Sequence, residues 1–182
     1  MNKQNIINTI NLIGEFKDLK RSGWLKKEVT LPESDAEHSF SVALLAMLLA
    51  PSSIDRLKCI EMALAHDLAE IYAGDITPGD DISPLEKHQK ERESIIKISN
   101  QLDVPQLIKL FDEFEQKKSK ESVFINALDK LDNVITAAYY DSNERAPSKL
   151  TPEFKTYAQK RINDLPEYDF INKIKEILQG ID

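Results

Sequence analysis

The chain has 182 residues, of which 41% are apolar and 30% are charged, and its formal net charge is −7. This length favours one domain with a well-buried core, and we predict a single domain over residues 1–182. The negative charge argues against a polymeric nucleic-acid partner, and the longest apolar run, 42–50, is too short to cross a bilayer.

The first twenty residues combine polar and apolar side chains without the continuous apolar segment and cleavage site of a signal peptide. We therefore predict a structural helix there and a cytoplasmic protein. The single cysteine, Cys59, excludes an internal disulfide and is expected to be a small buried hydrophobic residue.

A short basic segment follows this predicted helix. Residues 17–27, KDLKRSGWLKK, contain five basic residues and one acidic residue in an otherwise acidic chain. The segment could hold a phosphate, and it could equally be a solvated helix end and loop. The sequence alone leaves both interpretations open.

The rest of the chain is predicted to be helical. Glycine is scarce, and proline lies where helices usually begin, which favours an all-α helical bundle. Ser34 and Glu37 form a capping box that predicts a helix over 35–50 with His38 in its first turn. An apolar series at three- and four-residue spacing predicts a second helix over 53–73, ending at Gly74.

Further helices are predicted over 84–101, from Pro105 to 116, over 120–141, from Thr151 onwards and over 168–178. The helix over 120–141 carries Asp129 and Asp132 three residues apart on one side.

Four of these residues point to metal chemistry. A histidine beside an aspartate, as at His66 and Asp67, is by itself most often a partly buried imidazole bonded to a carboxylate. Here a second helix supplies His38, and a third supplies Asp129 within an apolar stripe, where an ionised carboxylate needs a partner or a cation. Two imidazoles and two carboxylates from three helices suit a divalent metal ion.

The strings SDAEHS at 34–39, MALAHDLAEIYAGDITP at 62–78 and NALDKLDN at 126–133 resemble the motifs of the HD-domain superfamily. More closely, they resemble its 5′-deoxynucleotidase branch, which hydrolyses deoxyribonucleoside 5′-monophosphates to deoxynucleoside and phosphate. The motifs lie within about 21–133. The resemblance implies an HD-domain helical bundle and an enzyme that acts on a small nucleotide. Self-association into a homo-oligomer is expected only by analogy with the family.

The resemblance also implies roles for individual residues. It implies that one divalent metal ion is bound by His38, His66, Asp67 and Asp129. It implies that Glu70 and Asp75 act in catalysis, and that an arginine and a tryptophan near the first motif contact the nucleotide, here Arg21 and Trp24.

The predicted chemistry suits these residue types. Four protein ligands of mixed nitrogen and oxygen character leave about two positions of an octahedral ion open, which favours Co, Mn, Ni or Fe, with Mg also allowed. Glu70 follows His66 by one helical turn, where it could orient a water or transfer a proton to the leaving oxygen. Asp75 is a second candidate for that role, although a turn or capping role would also explain it. Arg21 would hold the phosphate as a bidentate fork, supported by Lys20.

The sequence is also compatible with other functions. The same metal site could serve another small phosphoester, such as a cyclic nucleotide or a nucleoside triphosphate, and a non-catalytic HD module could bind nucleotide or metal. Hydrolysis of ppGpp is disfavoured because Ile71 stands where such enzymes are expected to carry an aspartate. His88 lies in a strongly charged segment and is predicted to be an ordinary surface or salt-bridged residue.

Overall fold

The computed structural model describes residues 3–77 and 79–181, and these residues confirm the predicted all-α fold. Residues 1 and 2 of the predicted N-terminal helix lie outside them. The helices, in chain order, are α1 (Lys3–Asp18), α2 (Ser22–Lys26), α3 (Asp35–Leu49), α4 (Arg56–Ala65), α5 (Glu70–Ala73), α6 (Pro84–Leu102), α7 (Gln106–Gln116), α8 (Lys120–Ser142), α9 (Thr151–Asn163) and α10 (Asp169–Gln179).

Serine caps fix where three of these helices begin. At α3, the Ser34 hydroxyl accepts the Glu37 amide at 3.2 Å, and the Glu37 carboxylate accepts the Ser34 amide at 2.7 Å. Ser83 caps α6 in the same reciprocal way, and Ser119 caps α8. These caps satisfy amides that have no partner inside the helix, and the capping box confirms the predicted start of α3.

The prediction of one continuous helix over 53–73 is wrong, because the structure contains two helices in this range. Helix α4 begins after the Asp55 cap and ends at Ala65, and α5 resumes only at Glu70. Between them, three-residue hydrogen bonds replace the four-residue bonds of an α-helix, as in the 3.0 Å bond from the Glu70 amide to the Asp67 carbonyl. The backbone stays right-handed at Ala69, with φ −59° and ψ −28°, so the apolar periodicity does not reveal the change.

Helix α8 runs through the centre of the bundle. Its apolar side chains are buried against α3, α4, α7, α9 and α10. Three of the predicted inward residues, Phe124, Leu128 and Leu131, are buried. Because α8 crosses the core, its polar residues Asp129 and Asp132 lie in the interior of the molecule.

The apolar series that predicted the helix over 53–73 consists of Leu57, Ile60, Leu64, Leu68 and Ile71, and only part of it faces the core. Ile60 and Leu68 pack against the core. Leu57 and Leu64 belong to that series and are 66% and 47% exposed. The buried side of α4 instead consists of smaller or flexible residues, including Met62 and Cys59, the latter buried as predicted. Close packing of α3 on α4 favours this side because small side chains let two helices approach.

The basic segment 17–27 folds into a structure that the sequence did not predict. An isolated antiparallel bridge joins Lys20 to Ser34, and the short helix α2 lies between them. Lys26 pairs with Asp80 and Lys27 with Glu153, each at 2.6 Å. These two lysines therefore form ion pairs on the surface. The preceding residue Arg21 instead directs its side chain towards the interior.

Within residues 3–77 and 79–181, no helix is both long enough and apolar enough to span a membrane.

Candidate metal centre

Two buried histidines form the centre of the site. His38 lies in the first turn of α3, and His66 directly follows α4. They are 0% and 4% exposed, and their ring centroids are 5.4 Å apart. The Nε2 atom of each ring is buried and has no hydrogen-bond partner. A buried nitrogen without a partner is costly, so a ligand at these two atoms is expected.

The other nitrogen of each ring is held by a hydrogen bond. His38 Nδ1 lies 2.7 Å from the Asp132 carboxylate, and His66 Nδ1 lies 2.7 Å from the Ala63 carbonyl. Because carboxylate and carbonyl oxygens accept, both Nδ1 atoms carry a proton, and in the neutral rings both Nε2 lone pairs face the site. This arrangement is typical of metal-binding histidines, in which the second nitrogen fixes the ring orientation.

Two carboxylates complete the cluster. Asp129 Oδ1 lies 3.4 Å from His38 Nε2, and ligand atoms of His38, His66 and Asp129 all lie within 4.8 Å of one another. Asp67 Oδ2 lies 3.3 Å from His66 Nε2 and 3.6 Å from His38 Nε2. The structure thus brings all four predicted ligands together, and its mixed nitrogen and oxygen donors fit a divalent metal ion.

The electrostatics of the cluster also suit a cation. Burial opposes ionisation of Asp129, but Lys130 and His38 outweigh it and hold the Asp129 pKa well below its usual value. Burial and Arg21 lower the pKa of His38, yet the nearby carboxylates of Asp129 and Asp132 raise it to about 10. Without a metal ion, a proton on His38 therefore balances the nearby acids, and a bound divalent cation would replace it.

Arg21 reaches into the same cluster from the bridge before α2. Its Nη1 lies 3.1 Å from Asp67 Oδ2 and its Nη2 lies 3.1 Å from the Asn133 side-chain oxygen. Burial lowers the pKa of Arg21, but the surrounding carboxylates, Asp67 first, more than offset this and raise it. A charged guanidinium therefore stands beside the candidate ligands, as a phosphate-binding role requires.

The other two predicted nucleotide contacts lie elsewhere. Lys20 is on the surface, where its Nζ lies 3.7 Å from Glu37. Trp24 is only 1% exposed and stacks on Phe154 with ring centroids 4.4 Å apart. Its indole nitrogen donates to Glu33 at 2.9 Å. The structure does not bring the Trp24 ring to the histidine cluster, and its nucleotide contact stays a prediction.

Glu70 and Asp75, the predicted catalytic acids, lie close to each other and to Arg21. Glu70 begins α5, is 7% exposed and has an unpartnered Oε2 atom. Burial, followed by repulsion from Asp67 and Asp75, raises its pKa well above the usual value. Asp75 follows the turn at Gly74 and accepts the Ser22 amide at 2.5 Å. A carboxyl group with a raised pKa keeps its proton to a higher pH than an ordinary carboxyl group, as general acid catalysis requires.

Sequence reasoning missed several contacts that orient the site. Asp132 orients His38, Asn133 joins Arg21 to Asp129, and Lys130 pairs with Asp129 at 2.7 Å. All three belong to the string NALDKLDN, and the three-residue spacing of its aspartates was the available signal. Asp35, which is fully buried beside Arg21, was also missed, and nothing in the pattern distinguished it from an ordinary helix-start acid.

Comparison with known proteins places this site in a family. A family model described as HD domain matches residues 13–168. The chain is 35% identical over 162 residues to 5′-deoxynucleotidase HDDC2 of Dictyostelium discoideum, covering 83% of this chain and 84% of that protein. It is 31% identical over 160 residues to 5′-deoxynucleotidase HDDC2 of Homo sapiens, covering 86% and 78%.

Solved structures agree with this result. The crystal structure of a protein from Pyrococcus horikoshii matches with a TM-score of 0.81 and 30% identity, over 97% of this chain and 99% of that one. A predicted metal-dependent phosphohydrolase from Magnetospirillum magnetotacticum shares the fold, with a TM-score of 0.70 at 19% identity. Both the motifs and the fold lead to one conclusion, which is that this chain belongs to the HD-domain family.

Proposed function

We propose that this protein is a metal-dependent phosphohydrolase that releases phosphate from deoxynucleoside 5′-monophosphates. The observation that carries the proposal is the pair of buried, unpartnered Nε2 atoms of His38 and His66, which face the carboxylates of Asp67 and Asp129. The names of the relatives supply the substrate class, since proteins called 5′-deoxynucleotidase are similar to this chain over most of its length.

A metal ion held by the two histidines and two aspartates would lower the pKa of a water and neutralise charge on a phosphoryl oxygen. Cobalt, manganese, nickel, iron and magnesium are all candidates for this ion. The mixed donors favour the first four over a closed structural zinc site.

Arg21 would hold the substrate phosphate through its planar guanidinium. It lies 3.1 Å from Asp67, so a phosphate bound to it also lies beside the candidate ligands. Asn133 bonds both Arg21 and the Asp129 carboxylate, which keeps their positions linked. Lys20 lies next to Arg21 in the chain. To contact the nucleotide, Lys20 would have to break its ion pair with Glu37.

Glu70 would supply or hold the proton that the leaving 5′-oxygen needs. Its raised pKa and its buried position next to Asp67 support this role. Asp75 accepts a hydrogen bond from the Ser22 amide and so fixes the loop that carries Arg21. Asp75 would therefore position Arg21, and it would also place a second carboxylate near the reaction.

The test is a substrate and metal screen of the purified protein. Nucleoside mono-, di- and triphosphates and cyclic nucleotides, in ribo and deoxy forms, would be incubated with Mn, Co, Ni, Zn or Mg, and released phosphate measured. We expect the fastest release from deoxynucleoside monophosphates. Preferred release from another phosphoester would reassign the substrate, and no release with any metal would favour a non-catalytic module. His66→Ala should remove the activity, while His88→Ala is the matched control that should keep it.

We also propose that the protein self-associates. Helix α3 leaves Phe40, Leu44, Met47 and Leu48 exposed on its surface, which supports an apolar contact between copies. Light scattering in solution measures the oligomeric state, and a monomer at all concentrations would contradict this expectation.

A further inference from the structure

Glu33 lies just before α3, beside the arginine that is proposed to hold the phosphate. The Arg21 amide donates to the Glu33 carbonyl at 3.2 Å, next to the bridge between Lys20 and Ser34. The Glu33 carboxylate faces the same arginine, with Oε1 3.7 Å from Arg21 Nε. Glu33 therefore contacts Arg21 through both its backbone and its charge.

The guanidinium nitrogens of Arg21 have different partners. Nη1 lies 3.1 Å from Asp67 Oδ2, and Nη2 lies 3.1 Å from the Asn133 side-chain oxygen, both at the candidate metal centre. Nε faces Glu33 instead. A phosphate bound by the two Nη atoms would share or replace their contacts, whereas the ion pair with Glu33 would remain. Glu33 is thus the acid that can fix the direction of the guanidinium while the phosphate is bound.

Two aromatic residues fix the position of Glu33. The Trp24 indole nitrogen donates to Glu33 Oε1 at 2.9 Å, and the Glu33 amide donates to the Tyr140 hydroxyl at 2.8 Å. The two rings meet edge to face with centroids 5.2 Å apart, and both are buried. Because closely packed rings have few alternative orientations, they hold the Glu33 carboxylate in one place.

The histidine near Glu33 is paired with a different acid. Ligand atoms of Glu33, His38 and Asp132 lie within 4.8 Å of one another. His38 Nδ1, however, is bonded to Asp132 at 2.7 Å, and its Nε2 atom faces the candidate metal centre. Both nitrogens of this ring thus have other assigned partners. The two acids and two bases therefore separate into two pairs, His38 with Asp132 and Arg21 with Glu33.

We propose that Glu33 is a positioning residue that orients Arg21 for the phosphate, and that Trp24 acts by holding Glu33. This assignment rests on the proposed phosphate-binding role of Arg21. It gives Trp24 a different role from the nucleotide contact that the sequence resemblance implies, because the indole nitrogen carries the effect. The ring itself is 1% exposed and stacks on Phe154, which leaves little of it for a nucleotide to contact.

Removal of the Glu33 charge has opposite effects under two explanations. If Glu33 acts only as a nearby negative charge, Glu33→Gln should tighten phosphate binding, because an acid repels an anion. If Glu33 orients Arg21, the same change should weaken phosphate binding about two- to tenfold, the lower range of coupling between residues in one network. Glutamine keeps the side-chain volume and the oxygen that accepts from Trp24.

Isothermal titration calorimetry with inorganic phosphate measures this effect on the full-length protein, loaded with Mn²⁺ and freed of excess metal. Arg21→Lys provides a second background, because lysine keeps the positive charge and lacks the Nε atom that faces Glu33. We expect Glu33→Gln to weaken phosphate binding in the wild-type background and not in Arg21→Lys. Tighter or unchanged binding in the wild-type background, or equal weakening in both backgrounds, would overturn the proposal.

Trp24→Phe tests the hydrogen bond from the indole nitrogen. Phenylalanine can still stack on Phe154, but it cannot donate to Glu33. If Trp24 acts through Glu33, this variant should weaken inorganic phosphate binding and raise KM for a deoxynucleoside 5′-monophosphate by the same factor. A nucleotide contact of the ring would instead raise KM alone, because inorganic phosphate has no base or sugar, and that result would overturn the role given to Trp24.

Glu153→Gln is the matched control, because it removes an exposed acid that pairs at 2.6 Å with Lys27 of the same basic segment. It should leave phosphate binding unchanged. Thermal unfolding and elemental analysis check that each variant is folded and keeps its metal. Loss of metal from folded Glu33→Gln would show that Glu33 acts through His38 and would overturn the proposal.

If Glu33→Gln does not fold, Trp24→Phe takes its place in the two backgrounds. Failure of the proposed function gives a different result, namely no phosphate release from any nucleotide, while the comparison of the two backgrounds with inorganic phosphate still gives its own answer. Wild-type protein that binds no inorganic phosphate would overturn the positioning role of Glu33.

Discussion

In residues 3–77 and 79–181, histidines lie beside acidic side chains in two places, which differ in burial and in hydrogen bonding. His38 and His66 are buried, and their Nε2 atoms have no hydrogen-bond partner. His88, on α6, is 42% exposed in its side chain and lies 3.2 Å from the partly exposed Glu115. Nearby, Arg92 and Asp112 form a similar exposed pair at 3.2 Å.

This comparison shows why residue type alone does not identify a site. The pair at His88 is satisfied and solvated, so it contributes little free energy and needs no ligand. The inner cluster, formed by His38, His66, Asp67 and Asp129, contains ring nitrogens without hydrogen-bond partners and closely spaced carboxylates in the protein interior. A bound cation would provide a partner for these nitrogens and neutralise the carboxylates.

The largest effect is expected when a ligand of the inner cluster is removed. His38→Ala or Asp67→Ala should abolish both bound metal at the histidine cluster and activity, because the remaining ligands are left unpaired. Elemental analysis and phosphate release on the same samples measure both quantities. A normal metal content at the histidine cluster in both variants would exclude the assigned ligands.

The next effect concerns Glu70, which is buried beside the ligands without being assigned as one. Glu70→Ala should keep the metal bound by the histidines and still bind nucleotide, while kcat falls ~10²–10⁴-fold, the usual contribution of general acid or base catalysis. Steady-state kinetics and metal analysis check this. Parallel loss of that metal would make Glu70 a ligand, and unchanged kcat would transfer the proton role to Asp75.

Arg21 should contribute mainly to substrate binding. Arg21→Ala should lose about 1.5–3 kcal/mol of transition-state stabilisation, the scale of a hydrogen bond to a charged group. Arg21→Lys should recover only part of the loss because lysine lacks the fork. The measurement is kcat/KM for the three proteins, and equal values would remove Arg21 from the site.

Asp132 tests whether orientation of His38 matters. Asp132→Asn should weaken metal affinity about 10- to 100-fold, since the carboxylate at 2.7 Å fixes the ring and increases its basicity. Metal titration of the folded variant measures the change. Unaltered affinity would show that the ring is held by packing alone.

The smallest effect is expected at the exposed histidine. His88→Ala should leave metal content and activity unchanged and alter the free energy of unfolding by only about 0.5 kcal/mol or less, as for most surface substitutions. Thermal unfolding and the phosphate assay test both points. Loss of metal in His88→Ala would mean that the exposed histidine also contributes to metal binding.

Much of this architecture was predictable because it depends on local chemistry. Capping serines, prolines at helix starts and apolar periodicity are short-range signals, and they predicted α3, α6, α7 and α8 with small errors at their ends. The convergence of His38, His66, Asp67 and Asp129 was predictable for a related reason: polar residues on apolar helices need partners, and the motifs resembled a known family pattern.

The remaining features depend on tertiary contacts. The break at His66 replaces one hydrogen-bond pattern with another while the backbone stays right-handed, so periodicity is unaffected. The burial of Trp24 follows from its stacking on Phe154, which lies far away in the chain. Asp35 looks like a favourable acid in a first helical turn, and only the folded chain shows that it is buried beside Arg21.

Bound metal and phosphate release, measured on the same samples, test whether the buried histidines form the metal centre. The chelator-treated protein would be reconstituted with increasing Co²⁺ or Mn²⁺ and assayed on a deoxynucleoside 5′-monophosphate, with His66→Ala and His88→Ala in parallel. We predict no release from the metal-free protein, recovery as the histidine cluster fills in wild type and His88→Ala, and none in His66→Ala. Release that is independent of bound metal, or undiminished in His66→Ala, would show that the buried histidines do not form a catalytic metal centre.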